Sequence, residues 1–215
     1  MSAVNHRVAH ARAFVLHQRP WGDSGRILEL LSREHGRLTV FAQGVRGPRA
    51  KLAGVLQPFV PLLVSWAGRG EAPRLTGAEF AQTRAATVPL ASRRLLSAWY
   101  LSDLVMQLTA RHDPQPELFD HYADALAGLR SGESLERELR RFEKRLLDVL
   151  GYGLAELADE TFDDPQVVQQ VRPLLRQALA QCLDGRNLKS RAVARSMANL
   201  QQANLQQANL QRASR

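Results

Sequence analysis

The sequence predicts an α+β protein in which a five-stranded β-barrel (residues 1–82) precedes an all-helical domain (83–197) and a low-complexity C-terminal tail (198–215). Three observations predict it. Short apolar runs alternate with turn signals up to residue 80, and the apolar period becomes helical from residue 90. A five-residue unit then repeats to the end of the chain.

The first strand is Ala13-Phe14-Val15-Leu16, broken by the turn-rich Arg19-Pro20-Trp21-Gly22-Asp23-Ser24-Gly25. Ile27 to Leu31 and Leu38 to Ala42 follow, separated by Glu34-His35-Gly36. Val55 to Trp66 is the fourth run, with Pro58 and Pro61 demoting part of it to an edge or a bulge. Ala67-Gly68-Arg69-Gly70 turns the chain into a fifth strand, Arg74 to Phe80. The commonest five-stranded barrel at this spacing is the OB type.

Leu95 to Leu108 has helical spacing, ended by Pro114 and Pro116, and Glu117 to Leu129 is a second helix. The third carries one apolar stripe, Leu135, Leu139, Phe142, Leu146 and Val149, and stops at Gly151 and Gly153. Asp164-Pro165 supplies an N-cap and a first-turn proline for a fourth helix towards Cys182, in which Pro173 is expected to cause a kink or a delayed start. Gly185 ends it, and Ser190 is placed to cap a fifth. The tail repeats Ala-Asn-Leu-x-x three times from Ala198, too few units for a solenoid coil. Because five residues do not match the helical period, the three leucines spiral around any helix; the tail reads as a frayed, dispensable extension.

The chain has 215 residues and a formal net charge of +8, with 45 % hydrophobic residues, enough to bury a core and too many for a disordered protein. Residues 1–80 carry a net charge of +6, 81–165 of −5 and 166–215 of +7. Two basic ends around an acidic middle suggest a polyanion-binding surface assembled from distant parts of the chain. Nearly all the cations are arginine, whose planar fork suits phosphate contact and base stacking. No apolar run approaches the ~18 residues of a membrane span, and Met1 to Arg12 shows no secretory signal. A single cysteine, Cys182, excludes an internal disulfide or a cysteine-cluster zinc site. The expected location is the cytoplasm.

No catalytic constellation is visible. Gly22-Asp23-Ser24-Gly25 matches the core of a serine-protease motif, but no histidine motif precedes it, and four small polar residues between strands are what a hairpin turn requires. No Gly-x-x-x-x-Gly-Lys phosphate loop exists, and the six histidines lack acidic or thiol ligands at metal-binding spacing. The acidic group Asp159, Glu160, Asp163 and Asp164 precedes a helix start, where carboxylates are favoured without any nuclease metal.

The loop Gln43 to Lys51 places Arg46, Arg49 and Lys51 among glycines that let a ligand approach the backbone. On an OB barrel such a loop lines the oligonucleotide face, where the cations take phosphates. Trp21, Phe41, Phe59 and Trp66 are either base-stacking platforms or core. On the third helix Arg137, Arg140, Arg141, Lys144 and Arg145 lie opposite the apolar stripe, interleaved with Glu133, Glu136, Glu138 and Glu143. They form either a solvated, salt-bridged face or a grip for an acidic peptide. Arg186, Lys189, Arg191 and Arg195 form a second basic cluster opposed only by Asp184.

The order of these pieces resembles the RecO family of bacterial recombination mediators. The resemblance is carried by Ala13-Phe14-Val15-Leu16-His17 with Arg19-Pro20-Trp21, by Gly36-Arg37 leading into Phe41-Ala42-Gln43-Gly44-Val45-Arg46, and by Leu56 to Leu62. Leu139 to Glu143, Leu150-Gly151-Tyr152-Gly153 and Leu188-Lys189-Ser190-Arg191 extend it, so that it covers most of residues 11–197. It implies an N-terminal OB fold and a helical domain. It also implies binding of single- and double-stranded DNA, annealing of complementary strands, and no enzymatic activity. The implied partners are RecR, the acidic tail of single-stranded DNA-binding protein and, indirectly, RecA. Arg37, Arg46, Arg49 and Lys51 would contact DNA on the barrel, and Arg186, Lys189 and Arg191 would extend that surface. Arg140, Arg141 and Lys144 would hold the partner's tail, with Phe142 or Leu139 beside an apolar pocket. Many members carry a four-cysteine zinc module after the Gly-Tyr-Gly element; with Cys182 alone this chain is a metal-free version, and no cofactor is expected. The competing reading is a protein-interaction scaffold whose basic patches bind acidic peptides rather than DNA.

Overall fold

The computed structural model describes residues 7–45, 52–70, 72–81, 89–153, 157–190 and 192–193. Strands β1 (Arg7–Trp21), β2 (Gly25–Ser32), β3 (Gly36–Ala42), β4 (Leu62–Ala67) and β5 (Arg74–Phe80) close a barrel in the order β1-β2-β3-β5-β4. Neighbours are antiparallel except β3 and β5, which meet in parallel at a single pair, Phe41 and Arg74. This is the five-stranded OB-like ring that the sequence predicts.

β1 is long because it serves two neighbours. Its first half pairs with β4 and its second half with β2, and Ala13 is paired on both sides. A register break between Val15 and His17 inserts Leu16, the bend that a barrel of few strands needs. Alternate residues fill the interior, among them Val15, Leu28, Leu30, Leu38, Val40, Leu62 and Val64. The fourth run is shorter than the sequence suggests. Val55 to Pro61 precede β4 as turns and a single bridge from Val15 to Pro58, since two prolines withhold ladder donors.

Among the described residues four long α-helices follow: α1 (Ser92–Leu108), α2 (Pro116–Ser131), α3 (Leu135–Val149) and α4 (Pro165–Leu183). Their ends follow local chemistry. Pro116 opens α2, and Gly132 closes it with φ of 89°, which glycine adopts freely. Ser134 accepts from the Arg137 N–H at the start of α3, and Asp164 accepts from Gln166 N–H at 2.8 Å before α4. Two expectations need correction. Pro173 does not delay α4, which starts at Pro165 and runs through it to Leu183 with Val168, Val171, Leu175, Leu179 and Leu183 buried on its inner face. Ser190 is not a cap: its own N–H donates to the Asp103 carboxylate at 2.6 Å, so α1 supplies the capping group. The tail at 198–215 lies outside the described residues.

The helical core does not stop at the helices. Phe14, Leu16, Leu31 and Phe59, all from the barrel region, share one cluster with α1, α2, α3 and α4. Burying each such side chain contributes about 1.5–3 kcal/mol. Phe59 has a left-handed backbone, φ 67°, its ring packs edge-on against Trp99 at 4.8 Å, and its carbonyl accepts from Arg130 at 2.6 Å. Burial lowers the Arg130 pKa, the cost of placing that guanidinium between the domains.

Candidate nucleic-acid interface

The outer faces of β1, β2 and β3 form one continuous surface, and the helical domain covers only part of it. Residues at Phe14, Leu16 and Leu31 lie under the helices. The boundary is a cluster of charge. Glu29 of β2 pairs with Arg111 at 3.0 Å and with Arg37 at 3.7 Å, and Thr39 donates to Glu29 at 2.9 Å. Arg111 also bonds the Thr39 hydroxyl.

Beyond that boundary the face is open. The register sets Trp21 opposite Gly25, Arg19 opposite Ile27, Ile27 opposite Phe41, and Phe41 opposite Arg74. Paired strand residues share a side, so Arg19, Trp21, Phe41 and Arg74 all project outward together. Trp21 is 46 % exposed and contacts the Phe41 ring at 5.0 Å. A Cβ at Gly25 would press on the Trp21 ring at 3.2 Å and on its carbonyl at 2.8 Å, so glycine there leaves room for the indole. Arg19 and Arg74 are exposed, and neither has an ion-pair partner among the described residues. Val45, whose N–H donates to the Ser24 carbonyl at 3.0 Å, ties the start of the next loop to this end of the barrel.

The structure places the sequence-predicted residues unevenly. Arg46, Arg49, Lys51 and Arg191 lie outside the described residues. Arg37 is turned inward: its side chain is 13 % exposed, it donates to the Thr109 carbonyl at 2.9 Å, and burial and the nearby Arg111 lower its pKa against the pull of Glu29. Arg186 donates to the carbonyls of Leu183, Cys182 and Gln107, completing the α4 terminus. Lys189 is exposed. Phe59 and Trp66 are core, Trp21 is exposed, and Phe41 is half-buried against it.

On α3 the cations are committed to acids of the same domain. Arg140 pairs with the fully buried Glu143 at 3.0 Å, and Tyr100 donates to Glu143 at 2.6 Å. Arg141 reaches Glu138 at 3.5 Å and Asp163 at 3.0 Å, while Lys144 reaches Asp148 at 2.7 Å. Arg145 holds Asp159 at 2.6 Å. Burial raises the Asp159 pKa, but the Arg145 bond and the charges of Arg145, Lys144 and Arg141 outweigh it and leave the group below the usual carboxylate range. Phe142 is buried, yet its edge lines a cleft of about 320 Å³ between α2 and α3 that also touches Arg141, Arg145 and His121.

Arg74 belongs to no motif, and Arg19 enters the family resemblance within Arg19-Pro20-Trp21 without a site role. The signal that finds Arg19 is its i, i+2 spacing to Trp21, which puts both on one face of a strand. Arg74 joins them only through the parallel β3–β5 contact, which no local pattern announces.

A five-stranded OB-like barrel with an open arginine–aromatic face, backed by a helical domain, defines the class: a two-domain OB-barrel protein. The comparisons narrow it. Residues 6–84 match the family model described as Recombination protein O N terminal, and residues 91–215 match Recombination protein O C terminal. The chain belongs to the RecO family of DNA repair proteins, which consists of non-enzymatic recombination mediators. It is 38 % identical to the DNA repair protein RecO of Methylococcus capsulatus, over 88 % of this chain and 94 % of that one. It is 44 % identical to the RecO of Burkholderia orbicola, over 69 % of this chain and 52 % of that one. The Haemophilus influenzae RecO is 43 % identical over 66 % of this chain and 59 % of its own. The chain thus spans about half the length of the Burkholderia relative. Among the described residues no helix is long and apolar enough to cross a membrane, and no three His, Cys, Asp or Glu side chains converge as metal ligands.

Proposed function

We propose that this chain is a cytoplasmic, nucleoid-associated mediator that binds single- and double-stranded DNA, anneals complementary strands and helps load RecA on DNA coated with single-stranded DNA-binding protein. The observation that carries the reading is the open barrel face, where Arg19 and Arg74 flank the exposed Trp21 and the half-buried Phe41. Cations take phosphates and aromatic rings take bases, the pairing a sequence-tolerant single-strand site uses. Arg46, Arg49 and Lys51 follow Val45 in the chain and are proposed as further phosphate contacts, together with Lys189 and Arg191. Annealing then needs no nucleotide hydrolysis. Cations neutralise phosphates on two strands, counterions are released, and base pairing drives the product.

RecR and the acidic tail of single-stranded DNA-binding protein are the proposed protein partners. A tail seated on α3 would compete with Asp163 for Arg141 and with Asp159 for Lys144, entering beside Phe142. The test is annealing of two oligonucleotides coated with that protein, without nucleotide, at two salt concentrations. Acceleration that fades with salt is the expected result. No acceleration with the tail peptide still bound assigns the chain to the scaffold class instead.

A further inference from the structure

A second site lies beside the open face, where β3 and β5 part. β3 and β5 touch only at Phe41 and Arg74, so the wall parts below that pair. The start of β3 is bridged instead by the segment after α1: Arg37 pairs with Arg111, and His112 N–H donates to the Arg37 carbonyl at 2.9 Å. Between these two fixed points is a cleft of about 520 Å³, walled by Val8, Leu38, Trp66 and Pro73 and edged by His35, His112 and Arg69. The volume is in the range of small-molecule sites, and its make-up of apolar walls with a few polar groups at the rim is typical of them.

Three further features hold the rim in place. His112 has φ of 57°, a left-handed conformation that a non-glycine residue adopts at a cost. The segment is pressed onto the barrel because Gly36 has no Cβ; any side chain there would run into the Asp113 backbone. His35 meets the Trp66 indole edge-on at 5.1 Å, fixing the opposite side. The rim therefore presents two imidazoles and a guanidinium above an aromatic floor. The cleft is continuous with the open face, since Pro73 lines it while its carbonyl accepts from Phe41 N–H at 2.9 Å.

We infer that this cleft seats one unstacked nucleotide of a single DNA strand, its base between the half-buried Val8 and His35 above the core Trp66, and its phosphate towards the exposed His112 and Arg69. The inference rests on the reading of the open face as a DNA-binding surface and adds to it a reason to prefer single strands, because a paired base cannot leave its stack to enter. Duplex DNA would bind the face and leave the cleft empty.

The test uses the full chain, a thymine oligonucleotide carrying 5-iodouracil, and a duplex of equal length. Photocrosslinks mapped by mass spectrometry are expected on the peptides of Trp66, His35 or His112 in addition to Trp21. The variant His35→Ala/His112→Gly, which relaxes the left-handed position, should weaken single-strand binding about 5- to 10-fold and leave duplex binding unchanged. Crosslinks on Trp21 alone with unchanged affinity would overturn the cleft and spare the face. Equal losses for single strand and duplex would overturn the single-nucleotide seat. Failure of the wild-type chain to bind either probe would overturn both readings.

Discussion

The indole of Trp21 lies against the ring of Phe41, centroids 5.0 Å apart and planes inclined at 51°, on the part of the barrel that the helical domain leaves uncovered. Two strand ends hold the pair, and Gly25 leaves room for the indole. Because Trp21 is half in water, its ring contributes little to folding and is available for stacking.

Replacing Trp21 with alanine should therefore weaken single-strand binding about tenfold, given about 1–3 kcal/mol per stacked base. Unfolding by urea should move by less than about 1 kcal/mol, as for surface sites. Fluorescence titration with oligonucleotide, paired with urea melts, checks both.

Gly128 of α2 should resist the usual improvement by alanine. Helical Gly→Ala changes normally stabilise, by about 0.5–1 kcal/mol. Here a Cβ would collide with the Glu138 carboxylate, which is buried and engaged by Arg137 and Arg141. Overpacking should make Gly128→Ala destabilising by about 1–3 kcal/mol, read as a lower urea midpoint at unchanged slope.

Arg140→Met should cost about 3 kcal/mol, because it removes the ion-pair partner of the fully buried Glu143 carboxylate. Adding Glu143→Leu to it should restore part of the loss. A double-mutant cycle measured by urea unfolding checks the coupling.

Acid should loosen the domain junction. Arg33 donates to Asp120 through two hydrogen bonds of 2.9 and 2.8 Å, and that bonding holds the Asp120 pKa below its ordinary value. A depressed carboxylate binds fewer protons folded than unfolded, so its contribution is full above the ordinary carboxylate range and is lost as pH falls through the folded value. Stability of the wild type should fall on acidification below about pH 4. Asp120→Asn should remove part of that dependence, as followed by urea midpoints across pH. The pair is half-exposed, so the effect at neutral pH is small.

Much of the architecture is legible in the sequence. Strands announce themselves by short apolar runs between turns, and α3 by a stripe that closes on the core at Phe142 and Leu146. The site is legible only in part. Arg19 and Trp21 share a face by simple alternation, whereas Arg74 arrives through a parallel contact 33 residues from Phe41 in sequence. The α3 face shows the opposite problem. An Arg/Glu interleave reads the same whether it is solvated or packed under neighbours, and only tertiary contact turns Glu138 and Glu143 into buried acids. Arg37 and Arg186 illustrate the same point: their positions suit a basic surface, but nearby carbonyls take their guanidinium groups.

The central claim is that the open barrel face binds DNA. The most direct measurement is equilibrium binding of a labelled thymine oligonucleotide to the wild type and to Arg19→Ala/Arg74→Ala across a salt series. Each phosphate contact on a single strand contributes about 0.7 to the slope of log affinity against log salt. The account predicts weaker binding of the double variant at low salt and a slope reduced by about 1.4. An unchanged affinity and an unchanged slope would contradict it.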